Sequence, residues 1–254
     1  MISTPQRPAA ENRTYRNRAM VERLTSFQVT VQETDLMVQA DEDLTAECRE
    51  AILIQRHYIE HYLQRYPAFR TTLRPWQCDE PAPEIIRTMT EAGRATGVGP
   101  MAAVAGAIAE TVGQFLCRHS REVIVENGGD IFLSVTGEVT IALFAGDSPF
   151  SMRIGLKVDP GKQPLAVCTS SGTVGHSLSV GRADAVCIVA RQCALADAAA
   201  TAVANHITAA DTIPEAIRFA RSIDGVLGVV AICGEQLGMW GDLHIVKIER
   251  GKIS

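Results

Sequence analysis

The sequence predicts an α+β fold with a largely antiparallel sheet and helices packed against it. Three observations carry that expectation. Short apolar or alternating segments follow one another across brief turns, as in hairpins. Five segments with helical character fall among them at irregular intervals. No regular strand-helix-strand alternation runs through the chain, and that argues against a parallel sheet.

Residues 1–25 are polar and rich in Arg, Pro and Asn, and are expected to form an arm, leaving 26–254 as a single domain. Residues 27–32 alternate apolar with polar, the period of a half-buried strand, and 36–40 return it after the turn at Glu33-Thr34-Asp35. Asp41 to Asp43 offer caps for a helix over 44–66, which carries Ile52, Tyr58, Ile59 and Leu63 at helical spacing and stops at Pro67. A proline-bearing linker at 75–83 precedes helices over 83–92 and 102–116. The second of these is built of Ala, Gly and Val, small enough for a backbone or a ligand to approach closely. Strands are expected at 122–126, 131–135, 139–144, 151–158, 165–169 and 183–190, then helices at 194–207 and 213–222. Strands at 226–233, 236–240 and 243–249 end the pattern.

Composition narrows the function. With 254 residues, 46% of them hydrophobic and 21% charged, the chain can bury a large core. A net charge of -5 and an aromatic content of 5% argue against a nucleic-acid binder, which needs a basic face or stacking rings. The longest apolar stretch, 101–109, falls short of the roughly 20 residues of a membrane span. The N-terminus shows no apolar secretory segment, so a cytoplasmic protein without membrane contact is expected. Seven cysteines lack CxxC spacing and read as buried, reduced thiols.

Three segments carry candidate chemistry. Glu126-Asn127-Gly128-Gly129-Asp130 ends an apolar strand with two glycines among polar groups. Its amides could cradle an anion, yet its two carboxylates suit ring N–H groups or a metal better. Thr169 to Ser177 gathers hydroxyls at Thr169, Ser170, Ser171, Thr173 and Ser177 around Gly172, with His176 as a possible acid or base. It does not read GxSxG, so a serine nucleophile is not indicated. On the alanine-rich helix, Asp197 and Thr201 stand one turn apart on one face and could give two oxygen ligands to Mg²⁺. The competing reading is an Asp favoured by its own helix dipole and a Thr bonded back to the backbone. His57, Glu60 and His61 match a zinc-protease spacing, but two polar-face histidines are the simpler reading.

In this order, the segments resemble the ApbE-type flavin transferases, which move FMN from FAD to a hydroxyl of a target protein using Mg²⁺. Glu126 to Ile131 resembles their Gly-Gly-Asp motif, Thr169 to Gly172 their Ser-Gly motif, and Ala196 to Ala202 their ADALATA-like helix. Gly99-Pro100-Met101-Ala102-Ala103 falls at their Gly-Gly-Ile-Ala-Lys-Gly segment. The set spans roughly residues 97 to 205. VGPMAAVAGAIAE, VENGGDI and TSSGTVGHSLS are most similar to an uncharacterised prokaryotic branch of that superfamily.

The resemblance implies a T-fold-like α+β domain and a soluble homodimer binding a small molecule. It implies a Mg²⁺ site at Asp197, Thr201 and the Ala102 carbonyl, and FAD or a related nucleotide as ligand. Gly99, Met101, Asn127, Gly128, Gly129, Asp130, Thr169, Ser170, Ser171, Gly172 and Ser177 would line the pocket, with His176 and Asp197 in catalysis. A protein substrate is the implied acceptor. Two departures stand out: Ala103 and Val104 replace the lysine, and His176 to Gly181 lacks an Asp and an Arg that lie beside the flavin nucleotide. A non-catalytic protein that kept the pocket, or an enzyme of pterin-like cofactors gripped by Glu126 or Asp130, are the alternatives.

Overall fold

The computed structural model describes residues 19, 21–78, 81–170 and 181–248. Its strands are β1 (Thr25–Val31), β2 (Thr34–Ala40), β3 (Val123–Asn127), β4 (Asp130–Ser134), β5 (Val139–Ala142) and β6 (Ile154–Val158). They continue with β7 (Leu165–Ser170), β8 (Ala185–Ala190), β9 (Val226–Cys233), β10 (Gln236–Gly241) and β11 (His244–Lys247). The helices are α1 (Thr45–Arg65), α2 (Ala68–Thr71), α3 (Glu84–Thr96), α4 (Val104–Leu116), α5 (Cys193–Asn205) and α6 (Ile213–Ser222). An eight-stranded sheet runs β1-β2-β3-β4-β7-β8-β9-β10, and a three-stranded sheet runs β11-β6-β5. All pairings between these strands are antiparallel, so the fold is α+β with antiparallel sheets, as expected.

The large sheet is the middle of three layers. Side chains alternate across a strand, so one strand feeds two cores. Val123, Val125, Phe132, Cys168, Val186 and Ile188 face the helices. Ile124, Ile131, Leu133, Val167, Cys187 and Val189 face the small sheet, meeting Ile141 and Leu156. This explains the unbroken apolar run of β8, all six of whose residues are buried.

On the helix face, α4 packs on β3 and β4, and α5 on β7, β8 and α4. Small residues set the distances. A Cβ at Gly113 would stand 2.2 Å from the Phe132 ring, and one at Gly106 only 2.4 Å from the Cys193 carbonyl oxygen.

The differences from expectation have local causes. The helix expected over 102–116 is two pieces, because the backbone of Ala103 (φ -114°, ψ 4°) separates the 3-10 turn Pro100–Ala103 from α4. Pro67 ends α1 and also opens the unexpected one-turn helix α2. The N-cap position of α1 falls on Leu44 rather than on an acid, and Asp43, one residue earlier, accepts from the Thr45 amide at 2.9 Å. Ala19 bridges Ile141, and the Val21 amide donates to Gln39 Oε1 at 2.9 Å. All seven cysteines are free; Cys48, Cys168, Cys187 and Cys193 are buried, but Cys117, past the end of α4, is exposed. Among the described residues no single helix is long and apolar enough to cross a membrane.

Candidate functional site

Helices α4 and α5 are 13 residues each, and each carries one charged side chain: Glu110 on α4 and Asp197 on α5. A lone carboxylate on an apolar helix must find donors as it is buried. The donors are the other helix's first amides, which have no acceptor within their own helix. Asp197 Oδ2 accepts from the Gly106 amide at 2.8 Å, and the Ala105 amide also bonds this carboxylate. Glu110 Oε2 accepts from the Cys193 amide at 2.8 Å and the Ala194 amide at 3.4 Å. The two helices cap each other. The helix dipole does favour Asp197, but it is the dipole of α4, not that of its own helix.

The β3–β4 turn closes over this crossing. Gly128 takes φ +75°, the left-handed region that a glycine enters freely. The Gly129 amide donates to the Asn127 carbonyl at 2.9 Å, and the Gly129 carbonyl accepts from the Thr169 amide at 3.0 Å. The Gly129 amide, expected to help cradle an anion, is therefore already engaged. Asn127 Nδ2 donates to the Ala105 carbonyl at 3.0 Å, tying the turn to the start of α4.

Strand register sorts the remaining candidates. Asp130 is buried, pairs with Cys168 across β4 and β7, and shares the helix-facing side with Phe132. Ser170 lies two residues beyond Cys168 and shares that side. Thr169 falls on the opposite side, with Val167 and Cys187. Glu126 also falls there, opposite Ile131, so it cannot join Asp130 in gripping one ligand.

Thr201, buried one turn beyond Asp197, shares its helix face. The Pro100–Ala103 turn, which contains Met101 and Ala102, packs on α5. Gly99 has a different reason to be glycine: a Cβ there would stand 1.9 Å from the Thr72 carbonyl oxygen. Ser171, Gly172, His176 and Ser177 lie outside the described residues.

The electrostatics single out Asp197. Burial, and then the nearby charge of Asp130, push its carboxyl well above the usual carboxylate range, against the Gly106 and Ala105 amides. Glu110 is raised too, by burial, with the Cys193 and Ala194 amides opposing. Beneath lie Cys168 and Cys193, both buried, their sulfurs 3.5 Å apart. Burial holds the Cys168 thiol well above its ordinary range, so it stays neutral. Neutral thiols are poor metal ligands, which leaves hard oxygens: the two aspartates, the Thr201 hydroxyl and backbone carbonyls. That donor set fits Mg²⁺ rather than a soft metal. Among the described residues no group of three or more His, Cys, Asp or Glu side chains is placed to hold a metal ion. The histidines of α1 do not add one. His57 and His61 have ring centroids 6.3 Å apart, and Arg56 holds Glu60 at 2.7 Å.

The close backbone approach expected of this small-residue helix occurs at Gly106, whereas the sequence reading gave Glu110 no role. The available signal was Glu110's isolation as the one charge on α4, four residues beyond a glycine.

The chain is thus an α+β protein whose helix-covered antiparallel sheet carries an acidic crossing of two small-residue helices. A sequence model for the family described as "AbpE bacteria" matches residues 17–233, and the chain belongs to that family. It is 38% identical to a UPF0280 protein of Methanosarcina acetivorans over 226 residues, 88% of each chain. It is 38% identical to a UPF0280 protein of Methanococcus aeolicus, covering 88% of this chain and 96% of the relative. The fold is similar to a variant of the flavin transferase ApbE from Vibrio cholerae, with TM-score 0.53 and 11% identity over 85% of this chain and 96% of that one. It is also similar to the apo flavinyl transferase ApbE of Pseudomonas stutzeri, with TM-score 0.51 and 13% identity over 85% and 93%.

Proposed function

We propose that the chain is a Mg²⁺-dependent enzyme acting on FAD or a related nucleotide cofactor, transferring FMN to a protein hydroxyl or cleaving the diphosphate with water. One arrangement carries this reading: Asp197 takes the Gly106 amide at the helix crossing, Thr201 stands one turn along on the same face, and the nearby charge of Asp130 disfavours the ionised form of Asp197. A divalent cation at Asp197 would favour that ionised form. Asp197 and Thr201 would hold it, with the Ala102 carbonyl as a third ligand. Bound there, Mg²⁺ would neutralise the diphosphate and stabilise the departing phosphate. Ser170 would hydrogen-bond a phosphate or ring atom, and Asp130 would orient the heterocycle from the sheet side. Asn127 works indirectly, by fixing the turn to α4. A cytoplasmic homodimer is part of the same proposal, and light scattering of the purified protein tests the dimer.

Calorimetry of FAD binding with and without Mg²⁺, with mass spectrometry for released AMP, tests the activity. Binding that requires Mg²⁺ and disappears in Asp197→Ala supports the proposal. No binding of FAD or any other nucleotide tested overturns it.

Two observations favour a second reading, a non-catalytic protein that kept the pocket. Asp197 Oδ2 is already engaged by the Gly106 amide, and no lysine stands at Ala103 or Val104. That reading predicts ligand retention with no AMP released. In a pterin-like reading the grip would fall to Asp130, because Glu126 faces the other side of the sheet.

A further inference from the structure

We infer that Glu110 is a positioning residue: by holding the first amides of α5 it sets where Asp197 and Thr201 stand. Three contacts build this. Glu110 takes the Cys193 and Ala194 amides, the first two of α5. Asp197, one turn further along α5, reaches back to Gly106, one turn before Glu110 on α4. The two contacts are thus separated by one turn on each helix and run in opposite senses. Gly106 lets the backbones meet, since any Cβ there would strike the Cys193 carbonyl and the Asp197 side chain at 2.4 and 2.8 Å.

The consequence is mechanical. Both amides that Glu110 holds would otherwise end α5 without an acceptor, in an apolar layer where water is scarce. Losing Glu110 frays the first turn of α5. Asp197 is the fifth residue of that helix and moves with it. Glu110 therefore touches no substrate in this scheme and acts through Asp197. The geometry stands by itself; its meaning for metal and nucleotide binding rests on the function proposed above.

The Gly106 amide is the reporter. As the third residue of α4 it has no acceptor inside its own helix, and Asp197 supplies one. Its hydrogen exchange is measured by NMR in wild type, Glu110→Ala, Glu110→Gln and a control, Asp43→Ala. The control removes a side-chain acceptor at the start of α1, where Asp43 accepts from Thr45. Glu110→Ala should speed Gly106 exchange about tenfold or more, through local opening. Glu110→Gln keeps one acceptor oxygen and should stay within about threefold of wild type, as should Asp43→Ala. In the same proteins, Mg²⁺-dependent FAD binding should weaken in Glu110→Ala and hold in Asp43→Ala.

Wild-type exchange at Gly106 in a folded Glu110→Ala protein overturns the inference. If that variant does not fold, Glu110→Asp decides: one methylene shorter, it must leave the α5 amides and speed Gly106 exchange, and wild-type exchange there overturns the inference equally. Should the wild type bind no FAD, the proposed function fails, while Gly106 exchange still decides the role of Glu110.

Discussion

Glu122 and Asp197 are both carboxylates bonded by backbone amides, and they end in opposite electrostatic states. Glu122 sits just before β3, where Arg23 grips both its oxygens at 2.7 Å and the Thr136 amide adds a bond of 2.6 Å. The Arg23 guanidinium is the main cause that brings its carboxyl down to about 2. Asp197 has the Gly106 amide at 2.8 Å but meets Asp130 instead of a cation, and burial drives it upward. The difference teaches what the helix crossing lacks. Amides alone do not hold a buried carboxylate ionised beside a second one; a positive charge does. At Glu122 the chain supplies that charge from its own sequence. At Asp197 the Mg²⁺ of the proposed function would supply it.

The sharpest way to break the contrast is to push the crossing apart. Gly106→Ala would set a methyl 2.4 Å from the Cys193 carbonyl oxygen, where α4 meets the backbone of α5. Overpacking against backbone should cost about 3 kcal/mol, read as a lowered denaturation midpoint in urea. Mg²⁺ should come next in size. A cation that binds only the folded state stabilises it by about 2.7 kcal/mol at one hundred times its dissociation constant. Melting should therefore rise with Mg²⁺ in wild type and stay flat in Asp197→Asn. A wild type that melts at one temperature whatever the Mg²⁺ concentration would remove the cation from the argument.

How much of this could be read in advance depended on whether a residue's task was local. The helix Ile213–Ser222 and the strand Val226–Cys233 lie where their patterns place them, because periodicity is set by near neighbours. The hairpin at Gly128 was legible for the same reason. Asp197 was conspicuous in a run of alanines, but its partner was not: Gly106 is 91 positions away, and only packing brings the two together. Glu110 was passed over although the segment VGPMAAVAGAIAE ends on it, because that segment gave it no role; its isolation on an apolar helix raises the same question as Asp197. Thr169 and Ser170 were indistinguishable as hydroxyls in a motif. The pairing of β7 with β8 decides between them, through a two-residue period that needs the register to be known.

The smallest effects, on acid and alkaline stability, sharpen the comparison most cleanly because their signs differ. Glu122 is more acidic in the folded chain than its ordinary 4.5, so its contribution is present above that pH and fades as pH falls toward about 2. Asp197 is less acidic than its ordinary 3.8, so the folded state binds the extra proton, and stability falls as pH rises from there through the raised value. Glu122→Gln should therefore lower the melting temperature at neutral pH, and only slightly, because Arg23 is half exposed and solvent screens the pair. Asp197→Asn, measured without metal, should raise it at neutral pH, since the amide keeps an acceptor for Gly106 while the repulsion from Asp130 disappears. Melting curves of both variants from pH 3 to 8 check this. If Asp197→Asn melts below wild type throughout that range in the absence of metal, the carboxylate is a satisfied structural cap, and the acidic pair is not waiting for a cation.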